Sequence, residues 1–344
     1  MSFVNFDTDW TEVNSHLMEI GIWKTFRNLS LRFPSPDLLP QRIAITDIIK
    51  GRPSQQSETV QAEARAQPEA LLTEVNERAS AKFSAHREDR KDCENSLAYN
   101  ERGYARHVLD EGFLKVHVWE ACLRPFAIEE ERENLFWLDP GQIPNWLKII
   151  PTEAKPQQEL YGCPDAIVGL RLTAEQAKVV GDMQINVESD LGPASDPSAS
   201  LDPTFLPLMV CMTLANWQRP CDPMHPESTL LLDRACVRTY AAMVGMRKFY
   251  HAANELAQKK NKQLPPQPPL LLPIFIDNYL TIWALEWVPE AERLPNKGLP
   301  YRCVMMEMIH MLRNYEHLTI LHVWQVRKWA AVLLRTYLEA LAEL

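Results

Sequence analysis

The spacing of apolar residues changes from helical to strand-like in the middle of this chain, which restricts it to folds that combine helices with a sheet. Residues 104–124 have the helical spacing, with Val108, Phe113 and Trp119 on one face. Short runs of β-favouring residues bounded by turn-forming residues then predict three strands, at 166–170, 183–188 and 206–213.

A long helix and a pair of strands follow these runs. Ser228 can cap a helix that continues to about residue 262. Residues 271–277 and 280–287 predict two strands joined by a tight turn. No proline occurs after Pro300, so we expect 303–344 to form one or two helices with an apolar face.

The amino-terminal part is also predicted to be helical. Apolar residues recur at steps of three and four between Trp10 and Trp23, and 42–49 is compatible with a short strand or the start of a helix. Taken together, the elements predict an α/β (α+β) fold: a mixed β-sheet flanked by helices, with a helical amino-terminal segment and carboxy-terminal helices.

A shift in composition divides the chain into three parts. Residues 51–93 contain few large apolar side chains and many Gln, Glu, Ser, Ala and Arg residues. Such a segment buries too little apolar area to offset the entropy lost on ordering. We therefore predict a segment at 1–50, a flexible linker at 51–93 with one exposed helix around 68–83, and a domain at 94–344.

Composition excludes several classes of protein. The chain is 46% hydrophobic and 24% charged, which is typical of globular domains rather than disordered or fibrous chains. A net charge of −9 argues against a protein that binds nucleic acid over its whole surface, although it allows a local basic groove. Neither the P-loop nor the G-x-G-x-x-G phosphate motif occurs.

Cysteine usage and the amino terminus predict an intracellular protein that does not enter a membrane. The seven cysteines are scattered and form no C-x-x-C pair, which favours a reducing compartment. No signal-peptide pattern occurs at the amino terminus, and the apolar stretches are too short to span a bilayer. The nucleus and the cytoplasm are both left open.

The segment 161–170, YGCPDAIVGL, resembles the strand that carries the first metal-binding aspartate of PD-(D/E)XK nucleases, here Asp165. The chain is more closely similar to the PD-(D/E)XK nuclease-like domain found in many fungal proteins, over roughly 94–344, and this resemblance implies a restriction-endonuclease-like sheet. The matching features are Val116-His117 on a helix, Asp165, a central strand 207–213, Ala235 early on the next helix, Leu272-Pro273, Ile282-Trp283 and a closing helix at 301–329.

The resemblance implies a magnesium site that this sequence does not complete. In the family, carboxylates on two neighbouring strands hold Mg²⁺, and a lysine two residues after the second carboxylate activates water. The corresponding pair of positions here is Thr213 and Ala215 or, shifted by one, Met212 and Leu214, which supply neither an acid nor an amine.

The other site positions are only partly matched. Asp165 is the one ligand retained, and it is equally compatible with a residue that hydrogen-bonds a turn at the start of its strand. Asp110 and Glu111 are weak candidates for the acid on the family's helix. In the family, the helix after the central strand carries a glutamine, and that position aligns with Arg238 here.

Three hypotheses follow. The first is a catalytically inactive pseudo-nuclease that needs no cofactor and serves as a binding or scaffolding module for an unidentified protein or for nucleic acid. The second is an active Mg²⁺-dependent nuclease with relocated ligands, Asp165 with Asp182, Glu188 or Asp110. The third is a protein–protein interaction subunit without nucleic-acid contact, which the acidic charge favours over DNA binding.

Two further features are open to a structural or a binding interpretation. The run 265–269 contains two overlapping P-x-x-P matches and is either a connector or a ligand for a proline-recognition module. Trp10, Trp217 and Trp287 are either core residues or part of an interface.

Overall fold

One mixed sheet organises the part of the chain that the computed structural model describes, which is 22–25, 38–80, 120–148, 163–185, 201, 204–214, 228–276, 279–288, 301–310 and 316–344. Within these residues the sheet has seven strands in the order β1-β7-β6-β5-β4-β3-β2. The strands are β1 Ile22–Thr25, β2 Leu135–Leu138, β3 Ala166–Arg171, β4 Phe205–Leu214, β5 Leu270–Ile276, β6 Tyr279–Trp287 and β7 Tyr301–His310.

Strand direction changes along the sheet. The pairs β1–β7 and β4–β5 are parallel, and every other neighbouring pair is antiparallel. A parallel pair needs a crossover connection, and between β4 and β5 the chain forms a helix of 32 residues. The predicted mixed sheet flanked by helices is therefore confirmed.

The described helices surround this sheet. They are α1 Leu38–Ile49, α2 Glu58–Arg65, α3 at 69–80, α4 Glu120–Leu123, α5 Ala127–Glu133, α6 Ala174–Asp182, α7 Ser228–Lys259 and α8 Glu316–Ala342. Helix α7 lies against β4 and β5, whereas α8 contacts β4 and the helices α1, α4 and α6. None of the helices in the described part of the chain is long and apolar enough to cross a membrane.

The prediction of a flexible linker at 51–93 is wrong for its described part, 51–80. Ser57 caps α2 by accepting a hydrogen bond from the Val60 backbone nitrogen. On α3, Leu71, Val75 and Ala79 recur every four residues, and all three are buried in the common core. The segment has few apolar residues, but their spacing places them on one helix face, which is sufficient for docking.

Two other predictions are corrected at the ends of the chain. The predicted helix after Pro300 begins only at Glu316, because 301–310 forms β7 alongside β6. In the amino-terminal segment, the predicted helix between Trp10 and Trp23 lies outside the described residues except for its end, which is in β1. Residues 42–49 are helical.

The predicted strand at 183–188 is also not observed where the structure describes it. Helix α6 ends at Asp182, and Met183 forms its carboxy-terminal cap. Gln184 then has a φ of 48°, the left-handed conformation that ends a helix rather than the extended conformation of a strand. Residues 186–188 lie outside the described part.

A fully buried ion pair joins α8 to α5. Arg327 and Glu129 are 0% and 1% exposed, and Arg327 Nε lies 3.0 Å from Glu129 Oε1. Arg327 also donates to the Leu123 carbonyl at 2.9 Å, while Glu129 accepts from the Phe126 backbone nitrogen at 2.8 Å. These bonds satisfy both charged groups inside the core, so the relative position of the two helices is fixed by directional contacts.

The same cluster ties α3 to α4 and α5. The Arg78 guanidinium lies 4.3 Å from the Phe126 ring centroid and donates to the carbonyls of Arg124 and Pro125 at 2.7 and 2.8 Å. Its partner Glu74 accepts from the Ala127 backbone nitrogen at 3.0 Å. The residues predicted as a linker thus supply a hydrogen-bonded cap to the start of α5.

Removing one partner of the buried pair should destabilise the fold strongly. The substitution Glu129→Gln leaves Arg327 as an uncompensated buried charge, so we expect the free energy of unfolding to fall by about 3 kcal/mol. Urea denaturation measures the change. The control is Glu130→Gln at the next, exposed position, which should leave stability nearly unchanged. Equal effects of the two substitutions would contradict a structural role for the pair.

Helix α1 is held against α8 by polar contacts to a histidine and a glutamine. Arg42 Nη1 contacts His322 Nδ1, and Gln325 Nε2 donates to Gln41 Oε1 at 3.4 Å. The pKa of His322 is lowered to about 3, mainly by burial and to a smaller extent by the nearby charge of Arg42. The imidazole is therefore neutral in the folded chain at neutral pH.

This neutral histidine should make stability depend on pH. The unfolded chain takes up a proton at His322 below about pH 6.5, whereas the folded chain does so only near pH 3, so stability is lost as the pH falls through that window. We expect the melting temperature to drop between about pH 7.5 and pH 5 less in His322→Gln than in the wild type. The exposed His251 provides the control, and His251→Gln should behave as the wild type.

Candidate functional site

Asp165 lies at the start of β3, beside the central strand β4. Asp165 is 6% exposed, and its backbone nitrogen donates to the Cys211 carbonyl at 3.1 Å. The next residue, Ala166, is paired with Cys211 across the two antiparallel strands. Continuing that register places Asp165 opposite Met212, so the two side chains occupy facing positions on the same side of the sheet.

An arginine from α7 forms an ion pair with the Asp165 carboxylate. Arg238 Nη1 lies 3.3 Å from Asp165 Oδ2, with the arginine side chain 19% exposed. Helix α7 packs against β4 and β5, and its Arg238 reaches the start of β3. The guanidinium therefore supplies the positive charge next to Asp165 that a metal ion would supply in a nuclease.

The opposing position is apolar. Met212 is completely buried, and a thioether is a poor ligand for Mg²⁺, which prefers oxygen. The other alignment with the family puts the carboxylate and lysine positions at Thr213 and Ala215. The backbone of Thr213 is paired with Phe275 of β5, and Ala215 lies outside the described residues.

The neighbouring cysteine does not extend the site. Burial, with a smaller contribution from the nearby Asp165 charge, raises the pKa of the Cys211 thiol far above its usual range. The thiol stays protonated at neutral pH and is neither a nucleophile nor a thiolate ligand.

Asp182 is the one alternative carboxylate that lies in the described part of the chain. Asp182 is exposed at the end of α6, whereas Asp110, Glu111 and Glu188 lie outside the described residues. Across the described ranges, no group of three or more His, Cys, Asp or Glu side chains is arranged to hold a metal ion. Here the residues around Asp165 do not fit Mg²⁺, because its carboxylate binds a guanidinium and faces a thioether.

The ion pair was not predicted from the sequence. Arg238 was identified only by its alignment with a glutamine of the family, and the two residues are 73 positions apart. One signal could have indicated a carboxylate partner: Arg238 is a cation at a position where the family has a neutral glutamine.

Comparison of the chain with protein-family models, with curated proteins and with solved structures gives no match. The site is therefore interpreted from its own geometry.

The Asp165–Arg238 pair should contribute to stability. Because Asp165 is buried, we expect Asp165→Asn and Arg238→Gln each to lower the free energy of unfolding, with a coupling of about 1–2 kcal/mol in a double-mutant cycle measured by urea denaturation. The control cycle uses the more exposed pair Arg335–Glu133, for which the coupling should stay below about 1 kcal/mol. Additive effects at Asp165 and Arg238 would show that the contact carries no energy.

Proposed function

We propose that this chain is a pseudo-nuclease: a PD-(D/E)XK nuclease-like domain without catalytic activity that acts as a binding or scaffolding module for a protein partner. The observation that carries the proposal is the ion pair between Asp165 and Arg238. Its guanidinium is a fixed cation beside the aspartate that, by the resemblance, would hold an exchangeable metal ion in an active nuclease.

The order of elements around Asp165 supports the family part of the proposal. The strand after Asp165, β3, runs antiparallel to β4, and the chain then forms α7 and returns as β5 parallel to β4. This is the succession of strand, central strand, helix and Leu-Pro strand on which the sequence resemblance rests. Trp283 of the next strand is buried, as expected for a core position.

The chemistry of phosphodiester hydrolysis supports the inactive part. The reaction needs a divalent ion to polarise the phosphate and a group that takes a proton from water. Met212 offers no oxygen ligand opposite Asp165, and neither register of the resemblance supplies the lysine. Loss of general acid–base catalysis alone costs about two to four orders of magnitude in rate.

The net charge favours a protein partner. At −9 the chain as a whole repels a phosphate backbone, and the arginine nearest the candidate site is neutralised by Asp165. A module of this kind would act through its surface rather than through chemistry at the start of β3.

A nuclease assay tests the proposal directly. Plasmid DNA and single-stranded RNA are incubated with Mg²⁺ and the wild-type chain, Asp165→Ala or the control Asp182→Ala. We expect no cleavage above the protein-free rate in any sample, because the site holds an arginine instead of a metal ion.

Two outcomes would overturn this interpretation. Cleavage that is lost only in Asp165→Ala would assign a working nuclease to the predicted site, and cleavage lost in both variants would favour relocated ligands that include Asp182.

Binding to nucleic acid is tested separately on native gels, where the wild type should not change the mobility of either nucleic acid. A shift that weakens steeply with salt would assign nucleic acid as the partner.

A further inference from the structure

A pocket of about 440 Å³ opens at the end of the sheet remote from Asp165. It lies between the proline-rich segment before β5, the strands β6 and β7, and one face of α8. Its lining is mostly apolar and includes Pro266, Trp287, Trp329 and Leu333. Small-molecule sites in proteins have volumes of about 300–1,000 Å³ and similar apolar walls, so the pocket falls within the range of such sites.

The polar groups of the pocket select for a ligand without net charge. Glu286 lines the pocket, and Arg302 Nε donates to its carboxylate at 2.9 Å. The two charges balance each other, so an ionic ligand would gain little from either. A cationic or anionic group would also lose its hydration on entering these apolar walls.

Gln267 gives the pocket a directed hydrogen-bonding group. Its Oε1 accepts from the Tyr301 hydroxyl at 3.3 Å, which fixes the amide and leaves its NH₂ group as a donor for a ligand. Burial raises the pKa of Tyr301 to about 12, so this hydroxyl remains a donor at neutral pH. A ligand with a carbonyl or another acceptor oxygen matches this arrangement.

The aromatic side chains favour a flat molecule. Trp287 is 36% exposed, and its ring is held edge-to-face by Tyr301 at a centroid distance of 5.4 Å. Such a held indole, with Trp329 also in the lining, offers a preformed surface for stacking.

The surroundings favour a small molecule over a peptide. A peptide groove would continue as a strip of exposed apolar residues. Among the described residues the large exposed apolar side chains are Leu39, Trp287 and Val332, and of these only Trp287 lines the pocket. Over the described residues, the exposed large apolar side chains therefore do not extend the pocket lining into a strip.

We propose that this pocket binds a flat, uncharged, largely apolar small molecule that carries a hydrogen-bond acceptor. The site is separate from Asp165, because β6 and β7 are separated from β3 by β5 and β4. It thus adds a ligand-binding activity to the proposed function and does not depend on the state of the candidate metal site.

The dye prodan tests the proposal, because it is a neutral naphthalene with one carbonyl whose emission shifts to the blue in an apolar, water-excluded site. It is titrated into the wild type, Leu333→Trp and Val332→Trp. Leu333 lines the pocket, so the larger ring fills it, whereas Val332 is adjacent on α8, 49% exposed and outside the lining. We expect saturable one-to-one binding to the wild type and Val332→Trp, and binding weaker by about tenfold or more in Leu333→Trp.

Melting temperatures verify that the variants are folded. If Leu333→Trp is unstable, Pro266→Trp fills the pocket from its exposed wall and should weaken binding equally. Gln267→Leu should bind several-fold more weakly, with emission further to the blue, because the carbonyl loses its donor. Unsaturable binding to the wild type, or unchanged binding in folded pocket-filling variants, would overturn the proposal. Either result leaves the nuclease test unaffected.

Discussion

The buried ion pair of Arg327 and Glu129 determines where the carboxy-terminal helix α8 lies. Both side chains are removed from water, so neither is tolerated without the other. Because α8 also contacts α1, α4, α6 and β4, its position sets how these elements close around the sheet. The pair therefore gives the core a directional constraint that apolar packing alone would not supply.

The sequence predicted the elements that have a clear pattern and breakers at both ends. Strands β3, β4, β5 and β6 are β-rich runs of this kind, and α7 begins at the serine predicted to cap it and is followed by a proline-rich stretch. Strand β7 was mistaken for a helix because apolar residues stand at adjacent positions of its sequence, such as Val304, Met305 and Met306, which removes the alternation that distinguishes a strand. Strand β2 has only four residues and owes its conformation to pairing with β3.

The sequence predicted that Asp165 stands at the start of a strand, but not which group binds its carboxylate. Asp165 was singled out by the resemblance of the segment 161–170, which is local information. The guanidinium that binds it comes from a distant helix, and its approach depends on how α7 packs over β4 and β5. For the same reason the buried pair, separated by 198 positions, could not be predicted from spacing. Long-range charge pairing follows the tertiary fold and leaves little trace in local periodicity.

Strand β1 has a consequence for any shortened version of the protein. It pairs in parallel with the first residues of β7, from Ile22 opposite Tyr301 to Thr25 opposite Val304. A fragment that begins at residue 94 would leave that border of the sheet with a row of unsatisfied amide and carbonyl groups. Such a border pairs with strands of other molecules more readily than the short edge strand β1 does, so the fragment would tend to self-associate more than the full chain.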